Sequence, residues 1–314
     1  MKVLATQLLA DKRRKKSLLE MPGPGRPSSN QIMTRTLYTG VTNGSERNDL
    51  VKGNYAHADD VLPAPWGYQN VGKVIEIGAA VSTVNVGDVV YSSSDHTEYA
   101  LFDEDFLYCR LPPDVDPREA ALFGMTSVAM RTCRHADIRM GERVLVIGSG
   151  IIGHSAVQIA NVMGARVTVC DVDQQRLELA RQIGAAETII DVSGEGWNQE
   201  IQDFTYDVII DVAGVPDGID NMVRAAVLRG RIMLIAGRNK VTYDFNTGQG
   251  HEITIKQNSH FDNSDLANLC RLVAKGQVVL RPYLKDVVPV ENAEAIYNTL
   301  RDNPQELFGT VFEW

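Results

Sequence analysis

A glycine-rich turn between an apolar strand and an amphipathic helix constrains the fold of this chain more than any other feature. The segment RVLVIGSGIIG places Gly148, Gly150 and Gly153 in G-x-G-x-x-G spacing. The first glycine allows a tight turn, the second lets backbone approach a pyrophosphate, and the third lets the helix pack closely on the strand. Strand and helix patterns then alternate as far as residue 237. This predicts an α/β fold built on a Rossmann doubly wound parallel sheet.

The same turn predicts a dinucleotide-binding site. The helix that follows the glycines presents free N–H groups to a phosphate. The next strand, RVTVCD, ends at Asp171, where a carboxylate can accept hydrogen bonds from ribose hydroxyls and would repel the 2′-phosphate of NADP. NAD is therefore the predicted cofactor, and Asp173 is the preferred cap of the following helix. The predicted cofactor contacts are Gly148, Ser149, Gly150, Ile151, Ile152, Gly153, Asp171, Ala213 and Gly237.

The length of 314 residues is enough for two domains, and the pattern changes along the chain. Residues 1–115 carry short alternating strands separated by turn residues, which predicts a β-rich domain. A helical period begins after Asp116-Pro117, a cap and first-turn proline. We therefore predict the dinucleotide-binding domain at 116–260 and a return to the first domain at 261–314.

Charge and hydropathy exclude two classes of partner. The formal net charge of −9 gives no basic face for nucleic acid or an anionic membrane. The basic run at residues 12–16 is interpreted as a solvated turn between the first two strands. The opening apolar stretch is too short for a secretory signal, and no run approaches the roughly 20 apolar residues of a membrane span. These observations predict a cytoplasmic protein.

Over essentially its whole length, the chain resembles the medium-chain dehydrogenase/reductase family. The motifs MPGPG, GYQNVGKVIEIGAAVSTVNVGDVV and EYALFDEDFLYCRLPPDVDPREAALFG precede the dinucleotide segment in that family's order. The resemblance implies a GroES-like β-rich catalytic domain, split between the N-terminal part and the C-terminal tail, with the active site in a cleft beside the Rossmann domain. It also implies a homodimer that pairs through the last Rossmann strand, interpreted here as GRIMLIAG.

The positions where zinc-dependent members carry metal ligands are changed. Asn43 stands in place of a ligand cysteine, Tyr68 in place of the histidine of G-H-E, and Met125 in place of a further cysteine. The segment YSSSDHTEYA replaces the lobe that binds structural zinc. These residues do not favour zinc in N/S tetrahedral geometry, so no metal is predicted. The segment NGSE resembles the G-T-E of a zinc-free branch that includes bacteriochlorophyllide dehydrogenase and oxidises secondary alcohols.

Without zinc, alcohol oxidation requires a general base whose pKa lies near the working pH. Histidine, with an unperturbed pKa of about 6.5, suits this role. His96, in a segment that borders the substrate pocket of the family, is the predicted base, with a surface turn as the alternative. Tyr68 would orient the hydroxyl or fill the vacated metal volume.

Ser45 matches the family's proton-relay hydroxyl. Glu46 matches the acid beside that hydroxyl, and it could instead pair with a basic group. If His96 is not the base, the next candidates are His260, Glu46 and ionised Tyr68.

The sequence therefore predicts a zinc-independent, NAD-dependent oxidoreductase that interconverts a secondary alcohol and its ketone. A hydroxylated small molecule such as a polyol, cyclitol or sugar derivative is the predicted substrate. Its candidate contacts are Asn43, Gln69, Ser94 and His260. Two alternatives stay open: an NAD(P)H-dependent quinone or enoyl C=C reductase, and a catalytically silent NAD(H)-binding protein.

Overall fold

The computed structural model describes residues 1–54, 56–194, 197–215 and 218–314, which form two compact units. The first unit comprises Met1–Gly124 and Tyr283–Trp314, and the second comprises Met125–Pro282. The sequence-based divisions, after 115 and after 260, differ from these. The second unit continues to residue 282 because a helix and its connection, predicted to rejoin the first domain, belong to it.

The first unit begins with strands and two short helices. Its strands before the second unit are β1 (Lys2–Leu8), β2 (Arg14–Glu20), β3 (Gln31–Gly40), β4 (Ala64–Pro65), β5 (Asn70–Ile77), β6 (Val89–Ser92), β7 (Tyr99–Asp103) and β8 (Tyr108–Arg110). Helix α1 (Asn43–Leu50) follows β3, and α2 (Pro117–Ala120) follows β8. The side chain of Asp116 accepts a hydrogen bond from the Arg118 N–H, and Pro117 lies in the first turn, so the predicted cap is confirmed.

The second unit is a parallel sheet with helices between its strands. Its helices are α3 (Phe123–His135), which starts at the end of the first unit, α4 (Ile151–Val162), α5 (Gln174–Ile183), α6 (Trp197–Glu200), α7 (Ile219–Ala225), α8 (Phe245–Gly250) and α9 (Asn263–Ala274). Its strands are β9 (Arg143–Ile147), β10 (Arg166–Asp171), β11 (Thr188–Asp191), β12 (Tyr206–Asp211), β13 (Ala226–Leu234) and β14 (Thr254–Gln257).

The strand order in this sheet is β11-β10-β9-β12-β13-β14, and every pair is parallel. The predicted doubly wound sheet is confirmed. The segment GRIMLIAG, taken as the last strand, lies mostly in β13, which pairs with both β12 and β14. Because a strand paired on both sides has no free edge, that interpretation is wrong, and β14 forms the edge.

The C-terminal tail completes the first unit. It contains β15 (Asp286–Pro289), α10 (Ala293–Asp302) and β16 (Thr310–Glu313). The larger sheet has the order β15-β16-β3-β5-β6-β8, with β7 also pairing with β3, and a smaller sheet has the order β2-β1-β4. Short 3₁₀ turns lie at Asp59–Val61, Arg281–Tyr283, Val290–Asn292 and Pro304–Glu306. Within the described residues, no helix combines the length and apolar character that a bilayer crossing requires.

The basic run at residues 12–16 is only partly a solvated turn. Strand β2 begins at Arg14, and Arg14 and Lys16 are each 2% exposed. Side chains alternate between the two faces of a strand, so these two cations point inward while Lys15 keeps a third of its side chain exposed. The solvated-turn interpretation is therefore wrong for Arg14 and Lys16.

Candidate active site

The glycine turn of the second unit has the geometry that its spacing predicts. Gly148 follows β9 with φ of +98°, which favours glycine, and a Cβ on Gly153 would lie 1.9 Å from the carbonyl oxygen of Gly148. Gly150 precedes α4, and a Cβ placed there would meet nothing within 4 Å. The turn therefore packs closely at its first and third glycines and leaves open space at its second. This open space beside a helix N-terminus fits a dinucleotide phosphate.

Asp171 holds the glycine turn against the end of β10. Its carboxylate accepts hydrogen bonds from the backbone N–H of Ser149 (2.5 Å) and from those of Val172 (2.7 Å) and Asp173 (2.9 Å). Asp173 caps α5 through the N–H groups of the next turn, as predicted. Asp171 is therefore fixed at the strand end without being the helix cap, which leaves it suited to a ribose.

A second buried carboxylate, which the sequence analysis missed, organises the neighbouring strand ends. Asp211 ends β12, is fully buried, and accepts hydrogen bonds from the N–H groups of Ala213 and Gly214 at 3.0 Å each. It also pairs with Arg238, the neighbour of Gly237. One side chain thus orders the two loops that carry the predicted cofactor contacts Ala213 and Gly237. The sequence signal that could have identified Asp211 is its position at the end of the apolar strand β12.

The first unit contains a buried cluster of ionisable groups that we call the buried triad: Lys16, Glu46 and His96. The Lys16 ammonium donates to Glu46 Oε2 at 2.6 Å, and His96 Nε2 lies 3.2 Å from Glu46 Oε1. The hydroxyl of Tyr297 and the N–H of Thr42 also donate to this carboxylate. The structure thus brings the predicted residues Glu46 and His96 together. Glu46 also pairs with Lys16, in line with the alternative that it pairs with a basic group.

The charges around Glu46 decide its protonation state. Burial would raise the pKa of its carboxyl, but the Lys16 ammonium and His96 outweigh burial and hold that pKa well below its usual range. His96 has no exposed side-chain surface, and its Nδ1 has no hydrogen-bond partner among the described residues. The ring also packs on Gly67, where a Cβ would lie 2.5 Å from its Cδ2.

A second cluster has the same kinds of residues, with its cation also from β2 and its carboxylate also from α1. We call it the open triad: Arg14, Asp49 and His57. Arg14 Nη1 donates to Asp49 Oδ1 at 3.0 Å, and His57 Nδ1 lies 3.1 Å from the same oxygen. Here 22% of the histidine side chain is exposed. The sequence did not indicate a role for His57, because the direction in which a loop side chain points cannot be predicted from its neighbours.

The two triads arise from two periodicities. Residues 14 and 16 of β2 face the same side because strand side chains alternate, and residues 46 and 49 of α1 share a helix face because they are three apart. Each cation of β2 therefore meets one carboxylate of α1. Asp95, beside His96, lies near both histidines, and burial raises the pKa of its carboxyl more than the nearby His96, Lys16 and His57 charges lower it.

The remaining predicted contacts are dispersed. Asn43 donates to the carbonyl of Leu307 (2.8 Å), and the buried Gln69 amide donates to Gly40 O and Thr42 Oγ1. Ser94 accepts a hydrogen bond from the Ser92 hydroxyl, and Ser45 is half-buried on α1. The backbone carbonyl of Tyr68 accepts from the Tyr91 hydroxyl. His260, expected where the chain rejoins the first domain, belongs to the second unit.

The side chains at the family's zinc-ligand positions do not fit a zinc ion. Asn43 offers an amide that is bonded to a backbone carbonyl, Tyr68 a phenol, and Met125 a buried thioether, whereas zinc takes thiolates, imidazoles and carboxylates. Among the described residues, no group of three or more His, Cys, Asp or Glu side chains could hold a metal ion.

Comparisons with known proteins agree with the site in the second unit. Residues 152–275 match the zinc-binding dehydrogenase family model. The probable D-xylulose reductase A of Aspergillus clavatus is 24% identical over 322 aligned residues, covering 90% of this chain and 89% of the relative. The chain is therefore similar to zinc-binding dehydrogenases and to a polyol dehydrogenase, and the family match lies in the second unit.

Solved structures support the same fold. Galactitol-1-phosphate dehydrogenase from Escherichia coli has a TM-score of 0.84 at 19% identity and covers 100% of both chains. An alcohol dehydrogenase from E. coli CFT073, solved with its cofactor NADH, has a TM-score of 0.84 at 18% identity over 100% of this chain and 99% of its own. At these identities, the likeness supports the fold alone.

Proposed function

We propose that this protein is a zinc-independent, NAD-dependent dehydrogenase that interconverts a secondary alcohol and its ketone. The observation that carries the proposal is the combination of a complete dinucleotide turn with ligand positions that do not fit zinc. The similar proteins are named as a D-xylulose reductase and a galactitol-1-phosphate dehydrogenase. A polyol, cyclitol or sugar derivative is therefore the substrate class that we favour.

The cofactor would be held by the second unit. The turn from Gly148 to Gly153 would bind the pyrophosphate, Asp171 the ribose, and the loops at Ala213 and Gly237 the remainder of the dinucleotide. When bound, NAD supplies the hydride acceptor. The hydroxyl proton must go to the protein. The sequence predicts His96 as its acceptor, but among the described residues the one ring nitrogen of His96 without a partner, Nδ1, is fully buried. Ser45 and Tyr68 would contact the hydroxyl.

The proposal is tested by measuring NADH formation with a panel of secondary alcohols, using protein dialysed against a chelator and analysed for zinc. We expect turnover that survives chelation and no stoichiometric zinc. One tightly held zinc per chain, together with loss of turnover on chelation, would contradict zinc independence. Reduction of enones or quinones without alcohol oxidation would favour the C=C reductase, and tight NADH binding without any turnover would favour the silent binding protein.

Asp171 should set the preference for NAD over NADP. Changing Asp171 to Ser removes a ribose acceptor and a charge that repels the 2′-phosphate. We expect NAD binding to weaken by about 1.5–3 kcal/mol, the range for a hydrogen bond to a charged group, and the discrimination against NADP to shrink. Binding constants for both nucleotides, measured by titration, give the result.

Asp173→Ser is the matched control for that change. It alters the cap of α5 two residues away and should leave the ratio of the two binding constants unchanged. A wild-type protein that prefers NADP would contradict the position assigned to Asp171.

We also propose a homodimer that pairs through β14. The family resemblance implies pairing through the last strand of the Rossmann sheet, and β14 holds that position. Three of its four residues are exposed, so its unpaired backbone groups are available to a second copy of the chain.

A further inference from the structure

The two triads of the first unit share their chemistry and differ in access. In each, a buried cation of β2 fixes a buried carboxylate of α1, and that carboxylate binds one ring nitrogen of a histidine. The side chain of His96 has 0% exposure and that of His57 has 22%. A general base must come within hydrogen-bond reach of the proton that it removes. Of the two histidines, only His57 has side-chain surface through which a substrate could reach it.

The open triad fixes one tautomer and one orientation of His57. Asp49 Oδ1 accepts from the backbone N–H of His57 at 2.9 Å and faces Nδ1 at 3.1 Å. A carboxylate beside Nδ1 holds the proton there and leaves Nε2 as the acceptor. Nε2 makes no hydrogen bond among the described residues. Because Arg14 holds Asp49 in turn, the carboxylate cannot turn away.

The position of His57 connects it to the residues predicted to line the substrate site. Its ring meets the ring of Trp66 edge-on, with centroids 4.5 Å apart, and Trp66 precedes Gly67 and Tyr68. The carbonyl of Trp66 also accepts a hydrogen bond from Lys16 of the buried triad. His57 therefore lies beside the segment in which Tyr68 replaces the family's zinc ligand.

We propose that His57, oriented by Asp49, is the general base of the reaction and that the buried triad is structural. This rests on the proposed function. The O–H bond of the substrate breaks and its proton bonds to Nε2 of His57. With an oxidised nucleotide bound, the carbinol hydrogen would leave with its electron pair for that nucleotide, and the O–H electron pair would become the second carbon–oxygen bond. The partly exposed side chain of His57 would then return the proton to solvent.

Charged groups surround His57 on several elements. Asp49 faces it from α1, Arg14 from β2, and Asp95 from the loop after β6. Asp59, in the neighbouring 3₁₀ turn, pairs with Arg14 and with Lys52. A proton already bound at Nε2 would leave His57 unable to accept the hydroxyl proton, so alcohol oxidation should be lost in acid.

The experiment compares His57→Gln, His96→Gln and the exposed control His135→Gln, measuring kcat against pH, NADH affinity and melting temperature. We expect His57→Gln to lower kcat on the order of 100-fold or more, to remove the loss of turnover in acid, and to keep the NADH affinity and melting temperature of the wild type. His96→Gln should lower the melting temperature, and His135→Gln should change nothing.

A second measurement on the wild type does not depend on how the variants fold. Diethylpyrocarbonate should carbethoxylate the peptide that carries His57, and loss of turnover should follow modification of that peptide rather than that of the exposed His135, as mapped by mass spectrometry. Wild-type kcat and pH profile in His57→Gln, or loss of turnover without modification of His57, would overturn the assignment. A wild type that oxidises no alcohol would instead overturn the proposed function, and this inference with it.

Discussion

Replacing Lys16 with Met should lower the free energy of unfolding by about 3–5 kcal/mol, the cost of removing one partner from a buried ion pair. The substitution leaves the Glu46 carboxylate buried without the ammonium that lies 2.6 Å from it. Tyr297 and Thr42 still donate to the carboxylate, but neither carries a positive charge. Urea denaturation near neutral pH measures the loss.

Lys15→Met is the matched control, because it makes the same change on the opposite face of β2. The pair that Lys15 forms with Glu294 is partly exposed on both sides, so its loss should cost no more than about 1 kcal/mol. The double change Lys16→Met with Glu46→Gln should recover part of the stability. A Lys16→Met protein as stable as the Lys15→Met protein would show that the buried triad contributes little.

The difference between these two variants should shrink in acid. Although burial acts in the opposite direction, Lys16 and His96 lower the pKa of Glu46 in the folded protein. Because the pKa of Glu46 is lower in the folded protein, its ionisation stabilises the fold at any pH above the unfolded-state pKa of about 4.3. This contribution is lost as the pH falls toward the pKa of the folded state. Below the unfolded-state value, Glu46 in the Lys16→Met protein can take up a proton, and the unpaired charge disappears.

Substitutions in the glycine turn should separate folding from nucleotide binding. Gly153→Ala places a Cβ 1.9 Å from the carbonyl oxygen of Gly148. Backbone must move to relieve this overlap, so we expect a loss of about 1–3 kcal/mol in the free energy of unfolding together with weak NADH binding. Denaturation curves and NADH fluorescence titration measure the two effects.

Gly150→Ala is the companion variant, with the opposite expected result. The added Cβ meets no protein atom within 4 Å, and the backbone at φ of −78° accepts alanine. The free energy of unfolding should stay the same or rise by about 0.4–1 kcal/mol. If a pyrophosphate occupies this space, the same methyl group should weaken NADH binding about tenfold or more. Unchanged NADH affinity would show that the nucleotide does not approach Gly150.

The second unit could be predicted closely because its signals are local. The spacing of Gly148, Gly150 and Gly153 and the strand-helix alternation determine the sheet, and Asp173 could be separated from Asp171 by its distance from the helix. The edge strand was misassigned because β14 contains only four residues, TIKQ, and an intervening helix separates it from β13. Its short polar sequence gives little signal of a strand.

The first unit was harder because its charged groups find partners far along the chain. Arg14 and Lys16 stand in a run of five basic residues, where the alternation of a strand is hidden by uniform charge. Their partners Asp49 and Glu46 lie 35 and 30 residues further along the chain. No local sequence pattern therefore indicates these pairs. His57 could not be given a direction, since its neighbours in the loop show no periodicity.

The contact between Tyr297 and Glu46 has a consequence for how the chain is made. These residues are separated by 251 positions, and β16 enters the sheet beside β3. A ribosome therefore completes the second unit, which is continuous in sequence, before it has made the strand and helix that finish the first. Domains fold as units during synthesis. The second unit can thus fold on the nascent chain, whereas Glu46 and Lys16 are shielded from water only after Tyr297 and β16 have emerged.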